Sequence, residues 1–364
     1  MKKLLIALLL ILPVQVLASD IVDSLNIGAG LRSAYTEVKD EDSSDFNVQS
    51  VRLYIDGQFS EKVKFTLNTE CEGCAFGKSK KDISILDAIV RFELNDSFNL
   101  WIGRMLTPAD RIEMNGPYYA LSWNQYTVPL LPSDQLGQAG LLGRDEGVTV
   151  WGKKGKFQYA AGLFNGVEGG PNQDDNLLFA GRVAYNFLDM EQNPGYYTSS
   201  TYFGKGGDIF TVGLSYQSQA DGTGTATEAG DFEATILDML FEKPLGGGVV
   251  TLEGEYKMFD ADLSAAALAD PACFCLFDGE SYFVTAAYLF PLGSKHLQPY
   301  IRYTSNEPDF IGMEDSDLVE IGVNYVIKSH NLRFNFNTTD GDANLTGTPG
   351  ADVQSFSLGV QVQI

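Results

Sequence analysis

The stretch Val353 to Ile364, VQSFSLGVQVQI, constrains the chain more than any other. Phe356, Leu358, Val360, Val362 and Ile364 share one parity, and Ser355, Ser357, Gly359, Gln361 and Gln363 share the other. Alternate side chains of a strand point to opposite faces, so this strand is apolar on one side and polar on the other. Two environments satisfy such a strand. One is the edge of a soluble sandwich; the other is a barrel in a bilayer, with hydrocarbon outside and water inside.

The pattern recurs along the chain. Strands are expected over 25–36, 47–59, 63–70, 83–94, 98–105, 146–152, 156–165, 177–188, 209–218, 232–243, 249–260, 281–290, 297–304, 318–327, 332–339 and 353–364, about sixteen in all. In 332–339, Leu332, Phe334 and Phe336 oppose Arg333, Asn335 and Asn337; in 249–260, Val250, Leu252, Tyr256 and Met258 oppose Thr251, Glu253, Glu255 and Lys257. An Arg on the lipid face at mid-depth costs roughly 2–4 kcal/mol, so the charged set is expected to face the lumen. Strand 83–94 is mixed, because Ile85 and Ile89 share the parity of Asp87 and Arg91. Many aromatics fall near strand ends, where girdles form at the membrane interfaces, among them Tyr54, Trp101, Trp151, Tyr159, Tyr216, Tyr288 and Tyr325.

Short links alternate with long ones. Ser60-Glu61-Lys62, Asn95-Asp96-Ser97 and Lys153-Lys154-Gly155 are short; 37–46, 71–82, 106–145, 219–231 and 261–280 are long. Short periplasmic turns and long extracellular loops are the asymmetry of an outer-membrane barrel. The link 189–208 breaks the rule, since it should be a periplasmic turn, and it suggests an undetected hairpin. The fold class expected is all-β, a transmembrane antiparallel barrel of about sixteen strands in one domain, 19–364. A soluble β-domain of that length would normally split, whereas a barrel grows by adding strands.

Lys2 and Lys3 precede the apolar run Leu4 to Leu12, and Val16-Leu17-Ala18 offers a cleavage site, so 1–18 reads as a secretory signal peptide. Removing two lysines and no acids takes the formal charge from -23 to -25. That charge argues against nucleic acid as a partner and suits solvated acidic loops. A mean hydropathy of -0.07 is also what a barrel with half its strand residues facing water would show. Cys71 and Cys74, and Cys273 and Cys275, form two close pairs. Disulfides are the default in an exported protein, with three connectivities open; a four-thiolate metal site joining the pairs is the lesser alternative. CEGC is followed by Ala75 rather than His, so the motif attaches no haem. No cofactor or metal is expected.

The segment 106–145 is the leading functional candidate, because long loops without strands of their own are usually functional. It is expected to fold inward as a pore constriction lined by Asp110, Arg111, Glu113, Asp134 and Arg144; the alternative is an external flap. Arg52, Asp56, Asp87, Arg91, Arg182, Glu255, Arg302, Glu320 and Arg333 carry the lumen parity of their strands and are expected to line the pore. Opposed charges across a wet pore order solutes in a transverse field, although such charges can equally pair with one another. His296 and His330 both fall in periplasmic turns, away from any lumenal Ser or metal ligand, so an enzyme is not expected.

Ser357 to Ile364 resembles the C-terminal insertion signal of bacterial outer-membrane barrels, with Ile364 where an aromatic is usual. Val51-Arg52-Leu53-Tyr54-Ile55-Asp56, Lys62-Val63-Lys64-Phe65, Asp87-Ala88, Leu100-Trp101-Ile102-Gly103-Arg104, Phe210-Thr211-Val212-Gly213 and Pro299-Tyr300-Ile301-Arg302-Tyr303 resemble the phosphate-selective porin O and P family. The resemblance implies a sixteen-stranded barrel in the Gram-negative outer membrane, passive diffusion of small solutes or ions, and a homotrimer. Phosphate selectivity would need a basic ladder, whereas acids here outnumber bases by 48 to 25, so that specificity is not carried over. The chain is also similar to barrels that sheath a multihaem cytochrome, which would make it a scaffold around an electron carrier.

Overall fold

The computed structural model describes residues 22–39, 43–72, 74, 82–134, 143–310 and 312–364. The leader expected at 1–18 and residues 135–142 of the long segment lie outside them.

Sixteen strands form one closed antiparallel barrel, each paired to its sequence neighbours and β16 to β1. They are β1 (Ser24–Val38), β2 (Ser43–Gln58), β3 (Val63–Glu72), β4 (Asp82–Asn95), β5 (Phe98–Leu106), β6 (Arg144–Lys154), β7 (Phe157–Phe164), β8 (Leu178–Asn186), β9 (Ile209–Gly224), β10 (Ala229–Leu245), β11 (Gly248–Ala261), β12 (Gly279–Leu292), β13 (Lys295–Pro308), β14 (Ser316–Lys328), β15 (Leu332–Gly341) and β16 (Val353–Gln363). Closure leaves no unpaired edge, which is what a sheet in hydrocarbon requires.

Register turns the alternation into two surfaces. Leu252, Ala286, Ile301 and Ile321 are successive cross-strand partners on β11 to β14 and belong to the outer face. One residue along, Glu253, Thr285, Arg302 and Glu320 form the matching row inside. The outer row is largely exposed and the inner row fully buried.

The mixed phase of 83–94 has a local cause. The β3–β4 ladder shifts between Asn68 and Thr69, pairing Asn68 with Asp87 and Thr69 with Ile85. Leu86 is the extra residue of a bulge, so the parity changes there. Ile83 and Ile85 are exposed on the outside, while Leu86, Asp87 and Ile89 are buried. The girdle expectation is corrected at three positions. Tyr54, Trp101 and Trp151 carry the inward parity of Arg52, Asn99 and Thr149, and both tryptophans are buried.

The lumen is not an open bore among the described residues. The segment between β5 and β6 enters it, forms α1 (Arg111–Tyr119) and ends in a 3-10 turn, Pro132–Asp134. The link 187–208 contains no strand and enters too, which corrects the hairpin expected there. A hydrophobic core therefore lies inside the barrel. Phe232, Ala234 and Ile236 of β10 and Phe259 of β11 belong to the same buried cluster as Trp101, Met114, Leu131 and Tyr196. Ile112 and Val128 pack with Phe283 of β12, and Leu121 with Ala287 and Tyr300.

Val284 sits mid-strand on the outer face of β12 and is 55% exposed. Val284→Arg is expected to destabilise the folded barrel by roughly 2–4 kcal/mol in lipid. The check is the folded fraction in a urea titration in vesicles; an unchanged midpoint would contradict a lipid-facing Val284.

Candidate functional site: the occupied lumen

Helix α1 begins with an Asp N-cap. Asp110 accepts from Glu113 N at 2.9 Å, and the Asp-x-x-Glu spacing marks a helix start. The helix is interrupted at Gly116, whose φ of +58° suits glycine, and Pro117 follows it. The capped end is held by β11. Lys257 Nζ lies 2.6 Å from Asp110 and 3.0 Å from Glu113, and Glu255 accepts from Ile112 N at 2.6 Å.

From Pro117 of the helix onward, the wall supplies partners for main-chain groups. Arg32 donates to Pro117 O at 2.6 Å and Trp123 O at 3.1 Å. Arg302 donates to Gln125 O at 3.0 Å, Asn324 to Leu121 O at 2.9 Å and Gln361 to Tyr118 O at 2.9 Å. Arg333 reaches Leu121 O at 3.3 Å, and Glu320 accepts from Trp123 N at 3.0 Å. A loop without a regular ladder can be buried only if its N–H and C=O groups find such partners.

The residues expected at the constriction are brought inside the barrel, but as paired groups. Asp110 and Glu113 share Lys257; Arg111 forms a bidentate pair with Glu191 at 2.7 and 2.9 Å and lies 3.5 Å from Asp238; Arg144 meets Asp87 at 3.0 Å. Asp134 ends the 3-10 turn. Of the residues expected to line a pore, Arg182 pairs with Asp238, Arg302 lies 3.5 Å from Glu253, and Arg52 meets Glu70 at 2.6 Å. These three, with Asp87, Glu255, Glu320 and Arg333, face inward as alternation requires, yet they face protein rather than water. Asp56 and Arg91 keep some exposure and lie 3.3 Å apart. Cys71 is bonded to Cys74 and Cys273 to Cys275, so the pairs are separate disulfides.

Among the described residues the interior is filled rather than left as a bore for a multihaem cytochrome, and nothing supports that alternative. The residues missed from sequence are the partners: Glu191, Asp238, Glu242, Glu253 and Lys257. Lys257 and Glu253 were visible on the polar parity of β11, and Asp110-x-x-Glu113 could have placed the helix.

The periplasmic link makes a second set of contacts. Glu242 of β10 accepts from Thr201 Oγ1 at 2.6 Å, Tyr202 N at 3.0 Å, Gly204 N at 2.8 Å and Thr251 Oγ1 at 3.0 Å. Asn115 donates to Ser200 Oγ at 2.6 Å, and Thr198 Oγ1 to Arg111 O at 2.7 Å, joining the two lumenal segments. The histidine expectation is corrected here. His296 lies in β13, and His330, though in the β14–β15 turn, is buried against Tyr119 and Phe203. Its Nε2 lies 2.8 Å from Thr201 O and 3.2 Å from Ser199 Oγ. No partner occupies Nδ1 among the described residues, so this Ser–His contact has no orienting carboxylate.

Burial pushes the His330 imidazole down to about 3, helped by the nearby positive charge of Arg333. Burial alone would raise the Glu191 carboxyl, but the Arg111 guanidinium outweighs it and holds it at about 2. The unfolded chain binds the His330 proton near pH 6.5 and the folded chain does not, so stability from this site is complete above that pH and falls as the pH drops toward 3. Glu191 acts in the same direction, but only below its ordinary value of 4.5. The thermal midpoint of the natural chain is expected to fall relative to that of His330→Phe as the pH goes from 6.5 to 4.5. Equal slopes for both proteins would remove His330 as the cause.

Comparison with known proteins agrees with this architecture. The family described as phosphate-selective porin O and P matches residues 24–364. An anion-selective porin from Comamonas acidovorans superposes with a TM-score of 0.60 at 13% identity, covering 94% of this chain and 99% of that one. Salmonella typhi OmpF in complex with daunomycin gives 0.59 at 12% identity, covering 95% and 99%. An uncharacterized protein of Aquifex aeolicus (strain VF5) is 23% identical over 341 residues, covering 83% of this chain and 77% of the relative. With its closed sixteen-stranded barrel and inward-folded segment, the chain belongs to the phosphate-selective porin O and P family and is a porin of the Gram-negative outer membrane.

Proposed function

We infer that this porin is a narrow, weakly selective passage for small hydrophilic solutes and ions, running along the β2–β6 side of the lumen. The observation that carries this reading is where the wet charges lie. Among the described strands, the lumen-facing charged side chains that keep contact with water are Asp56, Lys64, Arg91, Glu93 and Lys153 within the barrel and Asp45 and Asp82 toward its outer rim, all on β2 to β6. Those of β8 to β15 are covered by the lumenal segments.

The wet charges largely cancel. Lys64 pairs with Glu93 at 2.5 Å and Arg91 lies 3.3 Å from Asp56. Paired opposite charges give little net field to concentrate an anion. The arginines that a basic ladder would need are engaged elsewhere, on carboxylates or on main-chain carbonyls, which argues against phosphate specificity. The formal charge of -23 instead favours a mild preference for cations.

The narrowest point proposed is the contact between Tyr118 and Arg52, both buried, which closes off the wet side of the lumen. The Arg52 guanidinium lies 4.9 Å over the Tyr118 ring, backed by Glu70. Tyr118, just past the Gly116–Pro117 interruption, is a side chain of the lumenal segment that meets this wall. In this reading Asp110, Arg111, Glu113 and Arg144 hold the constricting segment rather than touch the solute. The reading is that of a channel without catalysis. A homotrimer is proposed on family grounds alone, and a trimer mass by light scattering in detergent would support it.

The protein refolded alone in a planar bilayer is expected to give small conductance steps and a weakly cation-selective reversal potential. Tyr118→Ala should raise the step size severalfold, and Arg52→Gln should move the potential further toward cations. Absence of any steps from the inserted barrel would sink the passage; unchanged steps in Tyr118→Ala would sink this contact as its narrowest point.

A further inference from the structure

The link between β8 and β9 is left over by the porin reading. The other periplasmic turns of the barrel are two to four residues long, and this one spans 187–208. Its ends do not need the length. Phe187 N donates to Phe210 O at 2.7 Å and Asp189 N to Asp208 O at 2.8 Å, so the ladder already continues to a point where a tight turn could close it. Residues 190–207 leave that rim and enter the lumen. Ordering them costs conformational entropy at every residue, which contacts must offset.

The contacts are of two kinds. Tyr196 lies in the buried cluster of Trp101 and Trp151, with Tyr197 packed against it, and Phe203 packs with Leu289, Val326 and the His330 ring. Polar and charged groups of the link dock on groups presented by other elements: Glu191 on Arg111, Thr201, Tyr202 and Gly204 on Glu242, and Thr201 O on His330. The loop tip is strained. Phe203 has a φ of +55°, a region disfavoured for a bulky side chain, and the Glu242 carboxylate is what its neighbours' N–H groups converge on. Such a segment lacks a ladder to the wall and can leave as a unit toward the periplasm, where water replaces each polar partner, at the apolar cost of exposing Tyr196 and Phe203.

We propose that residues 190–207 are a displaceable plug, seated from the periplasmic side by Glu191 and Glu242, that sets how far this porin conducts. The proposal rests on the reading of the chain as a porin. It makes Glu191 and Glu242 positioning residues, which act on passage through the plug and through Arg111 of the outer segment. It also assigns the mismatch in link length a role, since a plug must be tethered at the rim it leaves by.

The test uses the whole barrel in planar bilayers, in four forms. They are the natural chain, Glu191→Gln/Glu242→Gln, a chain with 190–207 replaced by a two-residue turn, and that shortened chain with 109–131 also replaced by a flexible link. Folding is checked by heat-modifiable migration. A second readout follows the plug itself: both cysteine pairs are disulfide-bonded, so Ser199→Cys adds a free thiol there, and its labelling by a maleimide reports exposure. The expected result is a severalfold larger conductance step for the shortened chain. The double Gln protein should open more often and, carrying Ser199→Cys, label several times faster than the single Ser199→Cys protein. Equal steps for the natural and shortened chains overturn the proposal. So does a folded double Gln protein with unchanged opening and labelling. If the shortened chain is silent but the doubly shortened one conducts, the plug proposal falls and the porin reading stands. Silence in all four sinks both.

Discussion

Every buried peptide group needs a hydrogen-bond partner, and that constraint governs the inside of this barrel as firmly as hydrocarbon governs its outside. A loop folded into the lumen carries no ladder of its own. The strands meet the need with long side chains on their inward parity. Arg32, Arg302, Arg333, Asn324 and Gln361 donate to carbonyls, and Glu255 and Glu320 accept from N–H groups of the segment around α1. The wall chemistry that looks like an ion path in sequence is largely the scaffold of the constricting segment. Removing one such group leaves its partner buried and unsatisfied, at a cost of roughly 1–3 kcal/mol, or more where a charge is left alone.

That division of labour explains what alternation could reveal. A period-2 pattern reports which face a side chain occupies, and for that reason all sixteen strands were legible, fifteen to within four residues at each end and β9 six residues short at its C-terminal end. It failed locally at 83–94, where the bulge at Leu86 changes the phase. What it cannot report is the partner across the lumen, because Arg111 and Glu191 are eighty positions apart and neither lies in a strand. Some signals of a filled interior were present. Phe232, Ala234 and Ile236 are apolar on the inward parity of β10 while Glu233 is exposed, the reverse of a wet lumen. Trp101 and Trp151 read as girdle residues because composition and position near a strand end do not give parity; counted from Asn99 and Thr149, both fall inside.

The same accounting bears on selectivity within the family. A basic ladder conducts anions only if its charges are desolvated little and partnered less. Here Arg52, Arg111, Arg144 and Arg182 sit on carboxylates, and Arg32, Arg302 and Arg333 on carbonyls of the lumenal segment. Family membership therefore fixes the barrel and its inward segment more than it fixes the solute. Arg111 and Arg144 are also poor places to tune selectivity by charge reversal. A carboxylate at 111 would face Glu191 and Asp238 in a dry site, and the first effect would be to unseat the segment rather than to change the ion preferred.

The charges of the periplasmic link are arranged so that its departure leaves few groups stranded. Glu191 would move into water, which solvates a carboxylate fully. Arg111, left behind, keeps Asp238 at 3.5 Å as a counter-charge. Glu242 loses its three contacts from the link but retains the Thr251 hydroxyl, and it would face the water that enters in place of the plug. His330 loses Thr201 O and likewise becomes hydrated, where an imidazole is at no disadvantage. The outer segment has no comparable exit. Withdrawing α1 and the residues after it would free Arg32, Arg333, Asn324, Gln361, Lys257, Glu255 and Glu320 from their partners there together, and leave Arg302 with Glu253 at 3.5 Å. The periplasmic link engages fewer wall groups, which makes its side the one from which this lumen can open at the smaller cost.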